Sequence, residues 1–187
     1  MKDQNQIREE NAIVLDFLKH GYPFEKNDFK NPVAQALGIN HLTILELIPK
    51  KEFDLQPYER VYIGEGKRDK IHHIKGRIPY EKLTGTAKNE LNHALREVIS
   101  EDEGRFVKFF NIAQPLSMRM HQLELLPGLG KKHMWEIIEE RKEKPFENFK
   151  DLIERLNNKI PDPVNMIVKR VIKELEGEEK YNIFVGR

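Results

Sequence analysis

The chain has 187 residues, 39% hydrophobic and 34% charged, with 32 Lys or Arg against 31 Asp or Glu and a formal net charge of +1. That length allows one medium domain or two small ones with packed cores, and the near-balance of charge confines any basic surface to local patches. Cysteine is absent, which excludes disulfides and thiolate metal sites, and no run is long enough to span a bilayer.

Met1 to Asn11 is polar, without an apolar signal core, and reads as a flexible tail; the expected setting is cytoplasmic and away from membranes. Residues 12 to 80 are strand-rich. Ala12–Leu18, Val33–Ile39, Leu42–Ile48, Tyr58–Ile63 and Ile71–Ile78 are apolar or alternating runs of strand length, separated by turn signals such as Gly21-Tyr22-Pro23, Asn31-Pro32, Gln56-Pro57 and Gly64-Glu65-Gly66. Five short strands suggest a small barrel. A helix is expected over Thr86–Ile99, with Ala87, Leu91, Leu95 and Val98 on one face, and a second is opened by a capping box at Ser100-x-x-Glu103. The aromatic run Arg105–Phe110 would also suit a strand, but helix is favoured. Asn111–Leu116, containing Pro115, reads as the joint between two domains. Beyond Gly177, alternation of Tyr181, Ile183 and Val185 predicts a strand that returns to pair with a barrel edge.

The most informative stretch is Leu126-Pro127-Gly128-Leu129-Gly130-Lys131-Lys132. Before it, Met118, His121, Leu125 and Leu126 recur at helical spacing with Ser117 placed to cap; after it, Met134, Ile137, Ile138 and Arg141 do the same. The stretch is therefore expected to be a tight turn between two short helices. Pro127 presets the turn, Gly128 and Gly130 allow positive φ and close backbone approach, and Leu129 sits between them. The first amides of the following helix, with Lys131 and Lys132 beside them, suit a phosphate oxygen. Such a site reads no base edge.

Residues 117 to 176 resemble a tandem helix-hairpin-helix DNA-binding domain of the kind found in competence proteins and DNA-repair enzymes. The turn is followed by Ile137, Ile138 and Arg141, then Pro145-Phe146, Phe149 and Asp151-Leu152, matching that family's connector in type and order. Its second hairpin would fall at Ile160-Pro161-Asp162-Pro163-Val164, where the glycine pair is missing and Asp162 would repel a phosphate. That hairpin is expected to be structural, closing a core with Val164, Ile167, Val168, Val171, Ile172 and Leu175. With the barrel, which resembles an OB fold but has its helix after the fifth strand, the whole chain is similar to a family of uncharacterised archaeal proteins joining an OB-like domain to a helix-hairpin-helix domain. The expected class is α+β: an OB-like barrel with appended helices over residues 12–115, an all-α tandem hairpin domain over 116–177, and a closing strand over 178–187.

In the last two barrel strands, period two places Tyr58, Arg60 and Tyr62 on one side of the fourth, and His73, Lys75 and Arg77 opposite His72, Ile74 and Ile78 in the fifth. Aromatic and cationic groups together stack bases and track phosphates. From Lys50 to Lys82 there are nine Lys or Arg against six Asp or Glu, so an ordinary solvated sheet face is the competing explanation. For the hairpin the competing explanation is a plain helix–helix turn, against which the lysine pair weighs.

Catalytic patterns are weak. Gly64-Glu65-Gly66-Lys67 lacks the spacing and the Ser or Thr of a P-loop, and His72 and His73, neighbours on a strand, are expected to point apart and share no metal. Glu139-Glu140 and Glu178-Glu179 read as solvated helix surface. The expectation is a non-catalytic protein without metal or cofactor that binds RNA or DNA, gripping phosphates at the hairpin and stacking bases on the barrel. The alternative is a protein–protein adaptor in a translation, replication or repair assembly.

Overall fold

The computed structural model describes residues 8–23 and 31–186; residues 1–7 of the expected tail and Arg187 lie outside them. Two compact units are present: residues up to Ala94 together with Lys173 onward, and Leu95–Ile172.

The first unit is built on five strands, β1 (Asn11–Leu18), β2 (Val33–Gly38), β3 (Ile44–Pro49), β4 (Arg60–Tyr62) and β5 (Ile71–Arg77), paired antiparallel in the order β4-β1-β2-β3-β5. The sheet curls, because residues from both edges, Val61 of β4 and Ile71 of β5, enter one core with Ala12, Val14, Ala34, Ala36, Leu45 and Leu47. It stays open: among the described residues β4 and β5 pair only on one side each. The β2 residues facing this core, Ala34 and Ala36, are small, and a bulge at Val14/Asp16 increases the local twist.

Both faces of β1 to β3 are covered. On the outer face Gln35, fully buried, donates to Lys82 O (2.9 Å) and to the Tyr22 hydroxyl (2.8 Å) and accepts from Thr84 N (2.9 Å). Thr84 caps α1 (Gly85–Glu101): its hydroxyl accepts from Ala87 N at 3.0 Å and donates to Asp16 at 2.6 Å. The start of this helix is thus fixed to the sheet by hydrogen bonds that leave no buried side-chain polar atom unpaired among the described residues.

Two buried acids hold loops. Glu9, only 5% exposed, accepts from Asn40 N (2.8 Å), His41 N (3.0 Å), Thr43 N (3.2 Å) and the Thr43 hydroxyl (2.8 Å). Residues 8–11 are therefore part of the folded unit, contrary to the expected tail, because the β2–β3 loop uses this carboxylate as its anchor. Glu174 accepts from Ile183 N (2.9 Å), Phe184 N (3.1 Å) and Val185 N (2.9 Å). Among the described residues the expected C-terminal strand is absent: those amides, which a ladder would need, are committed to one carboxylate. The segment does reach the sheet unit, where Gly186 N donates to His41 O at 2.8 Å.

The second unit contains α2 (Glu103–Ile112), the two-stranded pair β6 (Pro115–Ser117) and β7 (Met120–His121), α3 (Lys131–Glu143), α4 (Phe149–Arg155) and most of α5 (Pro163–Leu175). Phe106, Val107 and Phe110 bury one face of α2, so its aromatic run follows helical spacing. Its expected capping box is not formed: Asp102 takes the cap position without a side-chain bond, and the Glu103 carboxylate accepts from Phe149 N at 2.5 Å. The joint expected at 111–116 lies inside this unit, and the divisions fall at 94/95 and 172/173 instead of at 115 and 177. Asn111 exchanges two hydrogen bonds with the backbone of Phe146 (2.8 and 2.9 Å), and Arg141 donates to Phe110 O and Ala113 O, each at 2.9 Å. These bonds tie the end of α2 to the helices that follow. No helix of the described residues is long and apolar enough to cross a membrane.

Candidate nucleic-acid interface

The hairpin is approached by a 3-10 turn over Gln122–Leu125, where a helix opened by Ser117 was expected. Met118 and Met120 are exposed, and the chain around them pairs as β6 and β7, so the apolar spacing that mimics a helix is not a buried stripe. The real cap is His121. Its Nδ1 accepts from Leu123 N (3.1 Å) while the Glu124 carboxylate accepts from His121 N (2.9 Å), a capping box built on an imidazole. Burial chiefly, and then the charge of Arg141, hold the His121 pKa below the ordinary range, with Glu124 opposing. The ring is kept neutral, as an accepting Nδ1 requires.

Leu129 N donates to Leu126 O at 3.1 Å, with Pro127 and Gly128 at the two central positions and Gly128 at φ +87°. This is the pattern of a type II turn, which demands glycine at its third residue. A Cβ on Gly128 would also sit 3.2 Å from Pro161 Cγ, so the two hairpins of this unit touch. Leu123, Leu126 and Leu129 are buried and pin the turn from beneath, and buried Arg170 of α5 donates to Leu125 O at 3.3 Å.

Gly130 is the N-cap of α3, extended at φ −77° and ψ 165°, and offers no side chain to the helix. Met134 N is the first amide to bond back, to Gly130 O at 3.0 Å. The amides of Lys131, Lys132 and His133 therefore have no partner along the helix. Gly128, Gly130, Lys131 and Lys132 are exposed, no acid lies in the first turn of α3, and neither lysine ammonium meets a carboxylate among the described residues.

The second hairpin differs in chemistry. Asp162 precedes α5, its carboxylate accepts from Asn165 N (3.1 Å) and its carbonyl from Met166 N (3.1 Å). The acid thus serves the helix end itself, in keeping with a structural turn.

In the sheet unit the six expected face residues do not form one surface. Tyr58 precedes β4 in the left-handed region (φ +64°) and its hydroxyl donates to Glu90 of α1. Arg60 and Tyr62 flank buried Val61 as expected, but Tyr62 lies over the Gly64–Gly66 loop, its hydroxyl accepting from Gly66 N at 3.1 Å. A Cβ on Gly64 would fall 2.4 Å from that oxygen, so this glycine makes room for a tyrosine. In β5, His73, Lys75 and Arg77 are exposed and alternate with half-buried Ile74 and Gly76 as expected, whereas His72 is exposed too; register shifts fall at Glu46/Leu47 and Ile48/Pro49. Lys75 binds the buried Glu46 carboxylate at 2.6 Å, Arg77 is opposite core residue Leu45, and His73 is opposite Ile48. The same irregularity overturns the expectation that His72 and His73 point apart: their Nδ1 atoms are 2.8 Å from each other. Among the described residues no group of three or more His, Asp or Glu is placed to hold a metal ion.

Tyr62 and Arg77 both line a cavity of about 780 Å³, together with Arg8, Arg68, Glu65, Leu45 and Ile74. The Arg8 and Glu65 side chains pair across it, and Arg68 Nε donates to Gly64 O at 2.9 Å.

The residue that sequence reasoning passed over is Trp135. It stands one position off the buried stripe of Met134 and Ile137 and is 59% exposed. A large aromatic on the polar side of a short helix was the available signal.

A curled antiparallel sheet and a helical unit presenting a bare, basic turn define a mixed α+β protein. The chain belongs to the family described as protein of unknown function DUF655, whose model matches residues 8–186. It is 47% identical to the uncharacterised protein MJ0038 of Methanocaldococcus jannaschii over 186 residues, covering 98% of this chain and 83% of that one. It also resembles the crystal structure of Af1531 from Archaeoglobus fulgidus, with a TM-score of 0.86 and 44% identity, over 95% of this chain and 100% of that one.

Proposed function

We propose that the protein binds nucleic acid without catalysis, holding phosphates at the Gly128–Lys132 turn. In this reading residues 116–177 are a tandem helix-hairpin-helix domain and the sheet unit is OB-like. The observation that carries it is the opening of α3: exposed residues, amides the helix cannot use, and two lysines without carboxylate partners among the described residues. An N-terminal helix dipole and cations together favour a phosphate at that point. The sheet unit supports a secondary contribution from Tyr62 and Arg77 at the cavity mouth and from exposed Arg60 and His73, while Tyr58 and Lys75 are engaged with Glu90 and Glu46.

Recognition through phosphates is indifferent to sequence and sensitive to salt. Lys131→Glu with Lys132→Glu should weaken binding of a labelled oligonucleotide about tenfold or more for every sequence. It should also flatten the dependence of log Kd on log salt by about 1.5, the loss of two neutralised phosphates. Unchanged affinity and slope would remove the turn from the interface.

A further inference from the structure

We infer that Trp135, with the β6–β7 turn bearing Met118 and Met120, forms a stacking subsite for an unpaired nucleotide next to the phosphate grip. This rests on the nucleic-acid reading above and sharpens it to single-stranded, bulged or junction substrates.

Trp135 is 59% exposed, Met120 41% and Met118 fully exposed, and they line one groove of about 420 Å³ with Arg119 and Lys131. An indole and two thioethers left in water by a well-packed unit mark a contact surface, since each forfeits stabilisation that burial would supply. Charge selects the occupant. Arg119 and Lys131 have no carboxylate partner among the described residues, and the one acid lining the groove, Glu124, is turned to His121 N as its cap. An anionic polymer with flat apolar faces fits that combination.

Spacing selects the part of the polymer. Lys131 and Trp135 are four residues apart on α3, neighbours on one helix face separated by about 6 Å of rise. A phosphate at the first and a base on the second is therefore within the span of one nucleotide. In a continuous duplex both faces of each base are covered by their neighbours, so an indole can stack only on a base that has left the helix. Met118, at the tip of the β6–β7 turn beside Arg119, is an apolar wedge of the kind that separates stacked bases. Where the substrate is already single-stranded, the same side chain covers the edge of the stacked base.

The chain has a single tryptophan, so its intrinsic emission reports on this subsite alone. The full chain is titrated with a short oligothymidylate and, separately, with a blunt, fully paired DNA duplex, following both emission and binding anisotropy. The expected result is quenching by oligothymidylate and little or none by duplex. Trp135→Ala should lose about fivefold to a hundredfold in affinity for oligothymidylate, and Trp135→Phe should retain most of it. Because the side chain is exposed, thermal unfolding of both variants should match the parent. Salt-sensitive binding without quenching, or with Trp135→Ala binding normally, overturns the subsite and leaves the phosphate grip standing. Equal quenching by duplex overturns the preference for unpaired bases. A blue shift that grows with protein concentration in the absence of nucleic acid assigns the patch to a second copy of the chain and overturns the inference. Absence of any nucleic-acid binding overturns this and the phosphate reading together.

Discussion

The two hairpins of the helical unit lie against each other, Pro161 beside Gly128, yet they end their helices in opposite ways. The second satisfies itself: the Asp162 carboxylate accepts from Asn165 N, and a proline opens the helix with no donor to spare. The first ends in Gly130, which supplies nothing, and the following residues are lysines. A helix end that the fold could have capped with one side chain, and did not, is available to an external anion. In the proposed reading, what separates the two turns is which partner completes the same set of backbone donors: an acid of the chain at the second, an external anion at the first.

That contrast can be broken by exchanging the chemistry. Gly130→Asp meets no steric obstacle, since nothing lies within 4 Å of a Cβ placed there and φ is −77°. The new carboxylate would cap α3 as Asp162 caps α5. Nucleic-acid affinity should fall at least about tenfold as the anion site is filled and repelled. Thermal stability should hold or rise by a few tenths of a kcal/mol, the usual margin of Asp over Gly at a cap. Binding that survives this change would mean the turn makes no phosphate contact.

The converse change tests the second hairpin. Asp162→Ala should cost about 1 kcal/mol in denaturant unfolding, the typical loss of an N-cap, while leaving oligonucleotide affinity within twofold. A large fall in affinity would show that the second turn also touches the ligand.

The smallest effect concerns the approach to the first hairpin. His121 accepts Leu123 N only when neutral, and its folded pKa lies below the ordinary 6.5. The unfolded chain therefore takes up the proton more readily, so this contribution is complete above about pH 6.5 and is lost as pH falls through the lower folded value. The expected loss is about 0.5 kcal/mol, the low end for a cap, and His121→Asn, which keeps an acceptor without titrating there, should remove that part of the pH dependence.

Much of the framework was legible in the sequence. The five strands fall within two residues of the runs read from apolar patterning and turn residues, and α1 and α2 follow their spacing, because burial enforces those periods. The turn at Gly128 was legible because a positive φ leaves few residue choices. What escaped depended on partners far away along the chain. Alternation over 181–185 looked like a strand, but Glu174 claimed its amides. The spacing around Met118 looked like a helix, but Met118 and Met120 face water on a strand pair while Leu126 is buried under the turn. The outward alternation of His73, Lys75 and Arg77 was legible, but the capture of Lys75 by Glu46 of β3 was not, since no local pattern announces it. Trp135 was visible as a letter, but its exposure depended on which side of α3 the rest of the unit covers.

Glu9 and Gly38 carry a further implication. A Cβ at position 38 would lie 2.1 Å from the Glu9 carboxyl carbon, so the space that the acid occupies exists only because its neighbour has no side chain. The two positions should covary across the lineage: a descendant that loses the acid at 9 is released from the glycine at 38, whereas one that acquires a side chain at 38 first must evict the carboxylate and leave the amides of residues 40, 41 and 43 unsatisfied. Drift at this corner can proceed in only one order.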